Sequence, residues 1–431
     1  MTFDAEGLSR RETLKAAVAA GGAGALSACL DLAPRAANPV PRGVEDPATL
    51  PERQHAWNER VRHDEYGNTK LPRHQTLLYL SLDGEGPPGP DARETVAAAL
   101  TTLDRAYERS HEGLLHSLAY SPSYFERFDA TLPSSVDLPP PRRLSSFEDP
   151  DFDTQDALLH LASDRADVVL EAEAALTGSR SEANGAPVAA TLTDALTVAD
   201  RRTGFVGAGM PAARQDVEGI PDSEPVPEAS PLFMGFEAGF RGNQASEDHV
   251  TLASGPFADG TTKHVANLRQ RLADWYGEQD HAERVMELFS PGHAEQDLVE
   301  GVGDNLGADS DVEQFIDPET IQEHIAEHGR VGHAQKAARA NRDAEGNVRL
   351  LRRHFESTDG DVASLHFPSL QRGITAFEEV RRAMNGADLT ADPAIRQRVN
   401  NGILEYIFVR HRGNFLVPPR RHRALPSPRP E

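Results

Sequence analysis

The chain has 431 residues and a formal net charge of −24 at pH 7, because 68 acidic residues outnumber 44 basic ones. This charge argues against nucleic acid and anionic membrane surfaces as partners of the folded protein, since both repel an acidic chain. Only four lysines occur, and 38 % of the residues are hydrophobic. That composition is typical of a protein adapted to high salt that still buries a core, and the length predicts two modules.

Residues 1–33 are predicted to be an export signal. Arg10 and Arg11 precede an apolar run rich in alanine and glycine, as in twin-arginine signals. The run is too short for a membrane span, and it ends in Leu-Ser-Ala-Cys, which resembles a lipobox with Cys29 as the lipidated residue. A plain cleavable signal is the alternative. We therefore expect an exported protein, held at the outer face of the cell membrane by its lipid alone.

Residues 34–70 are rich in Pro, Arg, Asn and Asp and are predicted to be a flexible tether. The first module, residues 71–213, shows short apolar runs and amphipathic stretches in the order strand, helix, strand, strand, helix. These predicted elements cover residues 76–82, 95–107, 114–120, 157–162 and 167–176. Their order indicates a ferredoxin-like module. Residues 214–231, rich in Pro, Glu and Asp, are predicted to be a linker.

The second module is predicted to span residues 232–419. Amphipathic spacing predicts helices over residues 265–276 and 281–288. Further on, His333 follows a glycine and opens an alanine-rich segment, a place where an imidazole can face a pocket. About twenty residues later a probable strand begins, from which Arg352 and Arg353 must point to opposite faces. A buried arginine there would need an anion or a polar ligand.

The second module resembles the dye-decolourising peroxidase family. The resemblance rests on His333, the Leu-Leu-Arg-Arg sequence that ends at Arg353, and the apolar strand, helix and Pro-Pro ending that follow. It implies an α+β fold of two ferredoxin-like modules, each an antiparallel sheet with helices packed on it, as in dimeric α+β barrels. It also implies haem b as cofactor, with His333 as the proximal iron ligand and Arg353 on the peroxide-binding face. The implied substrates are hydrogen peroxide and an unknown reducing substrate.

One departure from the family pattern concerns its Gly-x-x-Asp-Gly signature, whose aspartate transfers a proton during peroxide cleavage. Gly235 and Gly239 are kept here, but Ala238 stands where the aspartate belongs. A rival alignment would place the carboxylate at Asp259 and lose the first glycine. With Ala238 as the equivalent position, two further readings stay open, a haem-binding lipoprotein without turnover and a haem-free structural protein. Residues 420–431 are predicted to be a disordered tail, and the oligomeric state is open, with a homo-oligomer among the options.

Overall fold

The computed structural model describes residues 39–389 and 392–431. The predicted export signal, with Arg10, Arg11 and Cys29, lies outside the described residues. Within the described part of the chain, no helix is both long enough and apolar enough to cross a membrane.

The first half of the chain folds into a four-stranded antiparallel sheet with two helices. Its strands pair in the order β4-β1-β3-β2, and the order along the chain is βαββαβ, which confirms the ferredoxin-like prediction. The last of these strands was absent from the predicted elements. The six elements are β1 (His74–Leu82), α1 (Pro90–Ala106), β2 (Leu115–Tyr120), β3 (Ala157–Ser163), α2 (Ala166–Leu176) and β4 (Leu196–Phe205).

The second half repeats this topology with extra helices. Its sheet runs in the order β7-β8-β5-β9, with the short β6 also paired to β8. Its elements are β5 (Thr261–Gln270), α3 (Leu272–Glu278), α4 (His281–Leu288), α5 (Pro318–His328), α6 (His333–Ala340), β6 (Leu351–Arg352), β7 (Phe355–Ser357), β8 (Ser364–Gln371), α7 (Ile374–Met384) and β9 (Ile407–Val417).

The predicted helix over residues 265–276 is wrong in its first half. Residues up to Gln270 belong to β5, which is hydrogen-bonded to β8 on one side and to β9 on the other. Helical spacing of apolar residues was present there, but pairing with two neighbouring strands overrides local periodicity.

The two sheets join edge to edge and close on themselves. Glu356 of β7 pairs with Phe205 of β4, and Leu416 of β9 pairs with Tyr120 of β2. Side chains from both halves therefore meet inside the closed sheet, where Tyr79, Phe355 and Phe415 are among the fully buried residues. The helices pack on the outer face of each half.

Short elements complete the described chain. The short strands are Arg62–His63, Thr69–Lys70, Asp151–Phe152, Glu182–Ala183 and Ala186–Pro187, and the short α-helices are Pro122–Phe125, Glu247–Val250 and Pro291–Glu295. Single 3-10 turns are Pro47–Thr49, Asn58–Arg60, Leu192–Asp194, Ala212–Arg214, Arg241–Asn243, Val312–Phe315, Asp359–Asp361, Gly402–Glu405 and Arg420–His422.

The predicted tether is packed onto the fold from residue 39 onward, so that prediction is wrong for residues 39–70. Trp57 is only 2 % exposed and packs against Leu115 of β2. The amide of Gln54 donates to the carbonyl of Pro418 over 2.7 Å. A segment without regular secondary structure that packs across other elements is held by single contacts such as these. Its apolar residues therefore do not recur at the regular spacing that identifies a helix or a strand in the sequence.

The predicted disordered tail is also wrong, because residues 420–431 pack on the first half. Leu425 is fully buried, and its N–H donates to the hydroxyl of Tyr120 over 2.8 Å. Arg420 and Arg423 pair with the buried Asp104 of α1 at 2.9 and 2.5 Å. Arginines that look like a solvated basic run in the sequence are therefore the counter-charges of a buried carboxylate.

Candidate functional site

A cavity of about 460 Å³ lies on the outer face of the second half, between its sheet and helices α6 and α7. Ala266 and Leu268 of β5 line the sheet side, and Ala334 and Ala337 of α6 line the helix side. The lining is mostly apolar, with a small number of charged groups and imidazoles that converge on it. This is the general character of small-molecule and cofactor sites.

His333 lines this cavity as the first residue of α6. The helix begins there because the side chain of Gln335 accepts a hydrogen bond from the N–H of Gly332 over 3.2 Å. Gly332 is required at that point, since a Cβ would lie 1.9 Å from the carbonyl oxygen of Phe289. On the other side, the backbone of Gly402 approaches that of His333 closely. His333 is therefore held by backbone packing from two sides.

The imidazole of His333 is neutral and has an open nitrogen. Desolvation by the surrounding protein, together with the charges of Lys336 and Arg352, lowers its pKa to about 3. Its Nδ1 is buried and has no hydrogen-bond partner among the described residues. No described group bonds Nε2 either, so this nitrogen is available to a ligand in the cavity. A neutral imidazole with a free nitrogen is a common metal ligand.

Arg352 and Arg353 point to opposite faces of their strand, as the alternation of side chains requires. Arg352 lines the cavity and donates to the side chain of Gln244, and burial lowers its pKa to about 10. It makes no ion pair with a carboxylate of the described chain. The cavity thus contains a partly buried guanidinium without a counter-charge among the described residues.

Arg353, expected to face the cofactor, instead points away from the cavity. It donates to the carbonyl of His55 over 2.7 Å and to the carboxylate of Glu247 over 2.8 Å. Its guanidinium also lies over the ring of Trp57, 4.7 Å from the ring centre. The placement of Arg353 on the cavity face is therefore wrong, and Arg352 is the arginine of this pair that lines the cavity. Two adjacent arginines do not reveal in the sequence which face of the strand residues 39–70 cover.

Two further polar residues continue the cavity face of the strand, at every second position after Arg352. His354 is 8 % exposed and stacks on Phe367, with ring centres 6.0 Å apart. Glu356 accepts a hydrogen bond from the N–H of Phe233 over 2.9 Å, while its other oxygen is buried without a partner in the described chain. Burial raises the pKa of Glu356 to about 8. Alternation from Arg352 could have found both residues in the sequence.

Ala238 lines the cavity, as does Gly239, whereas Gly235 does not. Both glycines have positive φ angles, of 91° and 83°, which explains why the turn keeps them. Asp259, the rival position for the missing carboxylate, is outside the cavity and forms surface ion pairs with Arg421 and Arg53 at 3.5 and 3.8 Å. The structure therefore brings Ala238 to the site and leaves Asp259 out of it.

A second group of arginines lies in the cavity wall and includes Arg381 of α7 and Arg412 of β9. Glu148, from the long loop of the first half, pairs with Arg412 at 2.8 Å and with Arg381 at 3.5 Å. Burial lowers the pKa of Arg381 to about 10. These positions carry no local sequence signal, because they come together only through the fold. Two guanidiniums thus share one carboxylate, which leaves an excess of positive charge in this part of the cavity wall.

Lys336 holds the start of α6 in place through hydrogen bonds of its buried ammonium group. It lies one turn after His333, is 1 % exposed, and donates to the carbonyls of Met384 and Asn401 over 3.0 and 2.8 Å. Burial lowers its pKa to about 7. The hydrogen bonds tie the start of α6 to the end of α7 and to the chain before Gly402, so the imidazole of His333 has little freedom to move.

Comparisons with known proteins identify one family and a set of similar solved structures. A family model described as "Family of unknown function (DUF7405)" matches residues 72–419. No curated protein matches the sequence. The encapsulated DyP-type peroxidase from Mycobacterium smegmatis is a similar solved structure, with 17 % identity, a TM-score of 0.50, and coverage of 84 % of this chain and 97 % of that chain.

Two structures from Rhodococcus jostii RHA1 are also similar, each with 15 % identity and a TM-score of 0.52. One is DyPB, where 82 % of this chain and 95 % of that chain are covered. The other is a DypB variant in complex with heme, where the covered shares are 84 % and 97 %. At these identities the likeness establishes the fold, which is that of DyP-type peroxidases.

Proposed function

The chain belongs to the DUF7405 family, whose function is unknown, and we propose that it is an exported haem b protein that uses hydrogen peroxide to oxidise a reducing substrate. The proposal rests mainly on one observation. An imidazole with an open nitrogen, His333, and a guanidinium without a counter-charge, Arg352, face one apolar cavity from its helix wall and its sheet wall.

The residues present fit a haem group. The apolar side chains of the cavity suit the macrocycle, and His333 offers a neutral nitrogen for the iron. Arg381 and Arg412 are suited to the propionates, because a guanidinium binds a carboxylate through paired hydrogen bonds. One usual feature is missing, since a ligating histidine commonly donates its other N–H to an acceptor, and Nδ1 of His333 has none in the described chain.

The chain's own residues would bind and orient the reactants. Haem, when bound, supplies the iron centre at which peroxide reacts. Arg352 would stabilise negative charge on a bound peroxide, because a fixed cation in a cavity that excludes water acts strongly on developing charge. The backbone contacts at Gly332 and Gly402, together with Lys336, would hold His333 in place.

A second candidate function is favoured by Ala238. Ala238 is among the residues that line the cavity, at the position where the signature that this sequence resembles carries its aspartate, and a methyl group cannot transfer a proton. A haem-binding lipoprotein with little or no peroxidase turnover is the corresponding alternative. A haem-free protein that keeps the fold alone is a third.

An absorption spectrum of the purified protein after addition of haem separates these functions. We expect a Soret band that His333→Ala abolishes or shifts strongly, because the iron loses its protein ligand. The control is His328→Ala, a histidine near the surface of α5 that bonds to Glu295 over 2.8 Å, and it should leave the band unchanged. Absence of a Soret band in the wild type would leave only the haem-free function, and addition of peroxide and a dye separates the other two.

Export and lipid attachment are the part of the proposal that rests on sequence alone. Replacing both arginines of the signal, Arg10→Lys and Arg11→Lys, should keep the protein inside the cell, because the export machinery recognises the twin-arginine pair before transport. Cys29→Ala should move the exported protein from the membrane fraction to the medium. Fractionation of the producing cells measures both effects, and unchanged fractions in both variants would contradict the assignment.

A further inference from the structure

His354 is an unexplained group in the cavity. It is buried, and no hydrogen bond reaches either ring nitrogen from the described residues, while Nδ1 is itself buried without a partner. An unsatisfied buried donor or acceptor costs about 1–3 kcal/mol, so such a group calls for an explanation. Because the ring stacks on Phe367 and lines the cavity, its position is fixed and it faces the ligand space.

His354 lies between β6 and β7, which keep one continuous register along β8, and this extended backbone sets its position relative to Arg352. The two residues are separated by one position, so their side chains lie on the same face and about 6–7 Å apart along the strand. His333 faces the same cavity from α6. A small ligand held between the walls would therefore meet a cation and a neutral imidazole side by side.

The carboxylates that line the cavity are less well placed for this role, and two of them, Glu148 and Asp149, are paired with Arg412 and Arg143. Ala238 offers a methyl group, and the nearby Glu237 is paired with Lys70 at 2.8 Å. Glu356 faces the cavity, but one of its oxygens is tied to the N–H of Phe233, and it lies two strand positions further from Arg352. His354 is the nearer group with a free nitrogen.

We propose that His354 is the proton acceptor on the sheet wall of the cavity, and that it replaces the carboxylate missing at Ala238. The inference rests on the haem-binding function proposed above. A weak acid entering the cavity, such as hydrogen peroxide or hydrogen cyanide, gives its proton to the ring. The bond from hydrogen to the ligand breaks, a new N–H bond forms, and the remaining anion lies beside Arg352.

The electrostatics of the site are compatible with this transfer. Burial, with a contribution from Arg352, lowers the pKa of His354 to about 3, so the ring carries a lone pair at neutral pH. The anion formed by the transfer would raise the pKa of His354 again, because an opposite charge a few ångströms away favours the protonated ring. It would thereby offset the effects of burial and of Arg352.

Cyanide binding to the haem-loaded protein tests the proposal without relying on turnover. Cyanide enters as the neutral acid and binds as an anion, so a base in the cavity accelerates its association. We expect His354→Gln to retain the Soret band and to lower the cyanide association rate about 100-fold, the lower end of the usual contribution of such a group. Stopped-flow absorbance at the Soret band gives the rate.

Two variants serve as controls. His366→Gln changes the residue of β8 that pairs with Phe355, and its ring is fully buried but points to the opposite face of the sheet from His354. It should leave the cyanide rate unchanged even if it lowers stability. Glu356→Gln should change the rate by less than about threefold, because its amide keeps the acceptor oxygen bonded to Phe233.

Four outcomes would overturn the assignment. An unchanged rate in His354→Gln, or a large loss in Glu356→Gln instead, would remove His354 from the role while leaving haem binding intact. A low-spin wild-type spectrum that becomes high-spin in His354→Gln, with faster cyanide binding, would make His354 an iron ligand. A wild type that binds no haem would end both this inference and the proposed function.

Discussion

The two halves of the molecule share one topology and differ in what lies between sheet and helices. In the first half this space is filled by apolar side chains, among them Leu78, Leu118 and Leu161, all nearly inaccessible. In the second half the equivalent space is a cavity of about 460 Å³ whose wall carries Arg352 and His354. The same topology therefore forms a close-packed core in one half and a cavity with polar groups in the other.

Buried charge follows the same division. In the first half, burial alone would raise the pKa of Asp104, but the hydrogen bond from His116 and the charges of Arg420 and Arg423 outweigh it and hold that pKa well below its usual range. In the second half, Glu356 has no cationic partner in the described chain, and burial raises its pKa. The buried carboxylate of the first half is thus paired, whereas Glu356 in the cavity is not.

The largest effect should come from breaking the paired charge of the first half. Asp104→Asn leaves Arg420 and Arg423 without their carboxylate, and losing one member of a buried ion pair costs about 3–5 kcal/mol. Urea unfolding at neutral pH measures the loss. Asp167→Asn is the control, since Asp167 is partly exposed and pairs with Arg165 on the surface. A surface pair contributes at most about 1 kcal/mol, and equal losses would contradict the comparison.

The next effect compares the same substitution on the two sheets. Leu161→Ala in the packed half should lower the free energy of unfolding by about 2–5 kcal/mol, because it leaves a void among close-packed neighbours. Leu268→Ala faces the existing cavity and should cost less than half as much in the absence of ligand. Comparable losses in urea unfolding would mean that the second half is as closely packed as the first.

The third effect is a pH dependence that belongs to Glu356. Its pKa is raised from 4.5 to about 8 in the folded state, so the protonated carboxyl contributes stability that is present below pH 4.5 and is lost as pH rises through about 8. In the wild type the free energy of unfolding should therefore decline between pH 4.5 and about 8, and Glu356→Gln should reduce the slope of this decline by up to about 1.4 kcal/mol per pH unit. Identical pH profiles of the variant and the wild type would show that the carboxyl is not buried as described.

The fourth effect restores a carboxylate to the position of Ala238. In the His354→Gln background, Ala238→Asp should raise the cyanide association rate about tenfold or more, because a carboxylate in the cavity can accept the proton. In the wild-type background the same change should also increase peroxide-driven oxidation. Stopped-flow absorbance measures the first and dye oxidation the second. No gain in either background would place residue 238 outside the reach of the bound ligand.

The smallest effect is expected at the rival position. Asp259→Ala should leave the cyanide association rate unchanged. It should change the free energy of unfolding by no more than about 0.5 kcal/mol, because the side chain is exposed and its pairs with Arg421 and Arg53 are on the surface. A loss of peroxide reactivity in this variant would return the missing aspartate to residue 259.

The fold was largely predictable from the sequence, because the strands and helices of the first half show clear apolar patterns and the order of elements limits the topology. The site was predictable only in part. His333 carries a local signal, a glycine before a helix start, whereas the choice between Arg352 and Arg353 depends on Glu247 and Trp57, which pack on the strand from distant parts of the chain. Residues 39–70 and the C-terminal tail were misjudged for the same reason.

A haem titration of the protein and of one cavity-filling variant tests the central claim most directly. Ala266 of β5 lines the cavity, so the phenyl ring of Ala266→Phe would occupy part of the cavity volume while His333 itself is left unchanged. We predict that the wild type binds one haem per chain, with a Soret band that saturates. Ala266→Phe should retain its fold by circular dichroism but lose saturable binding. Saturable binding that is equal in both proteins, or absent from the wild type, would contradict the assignment of this cavity to haem.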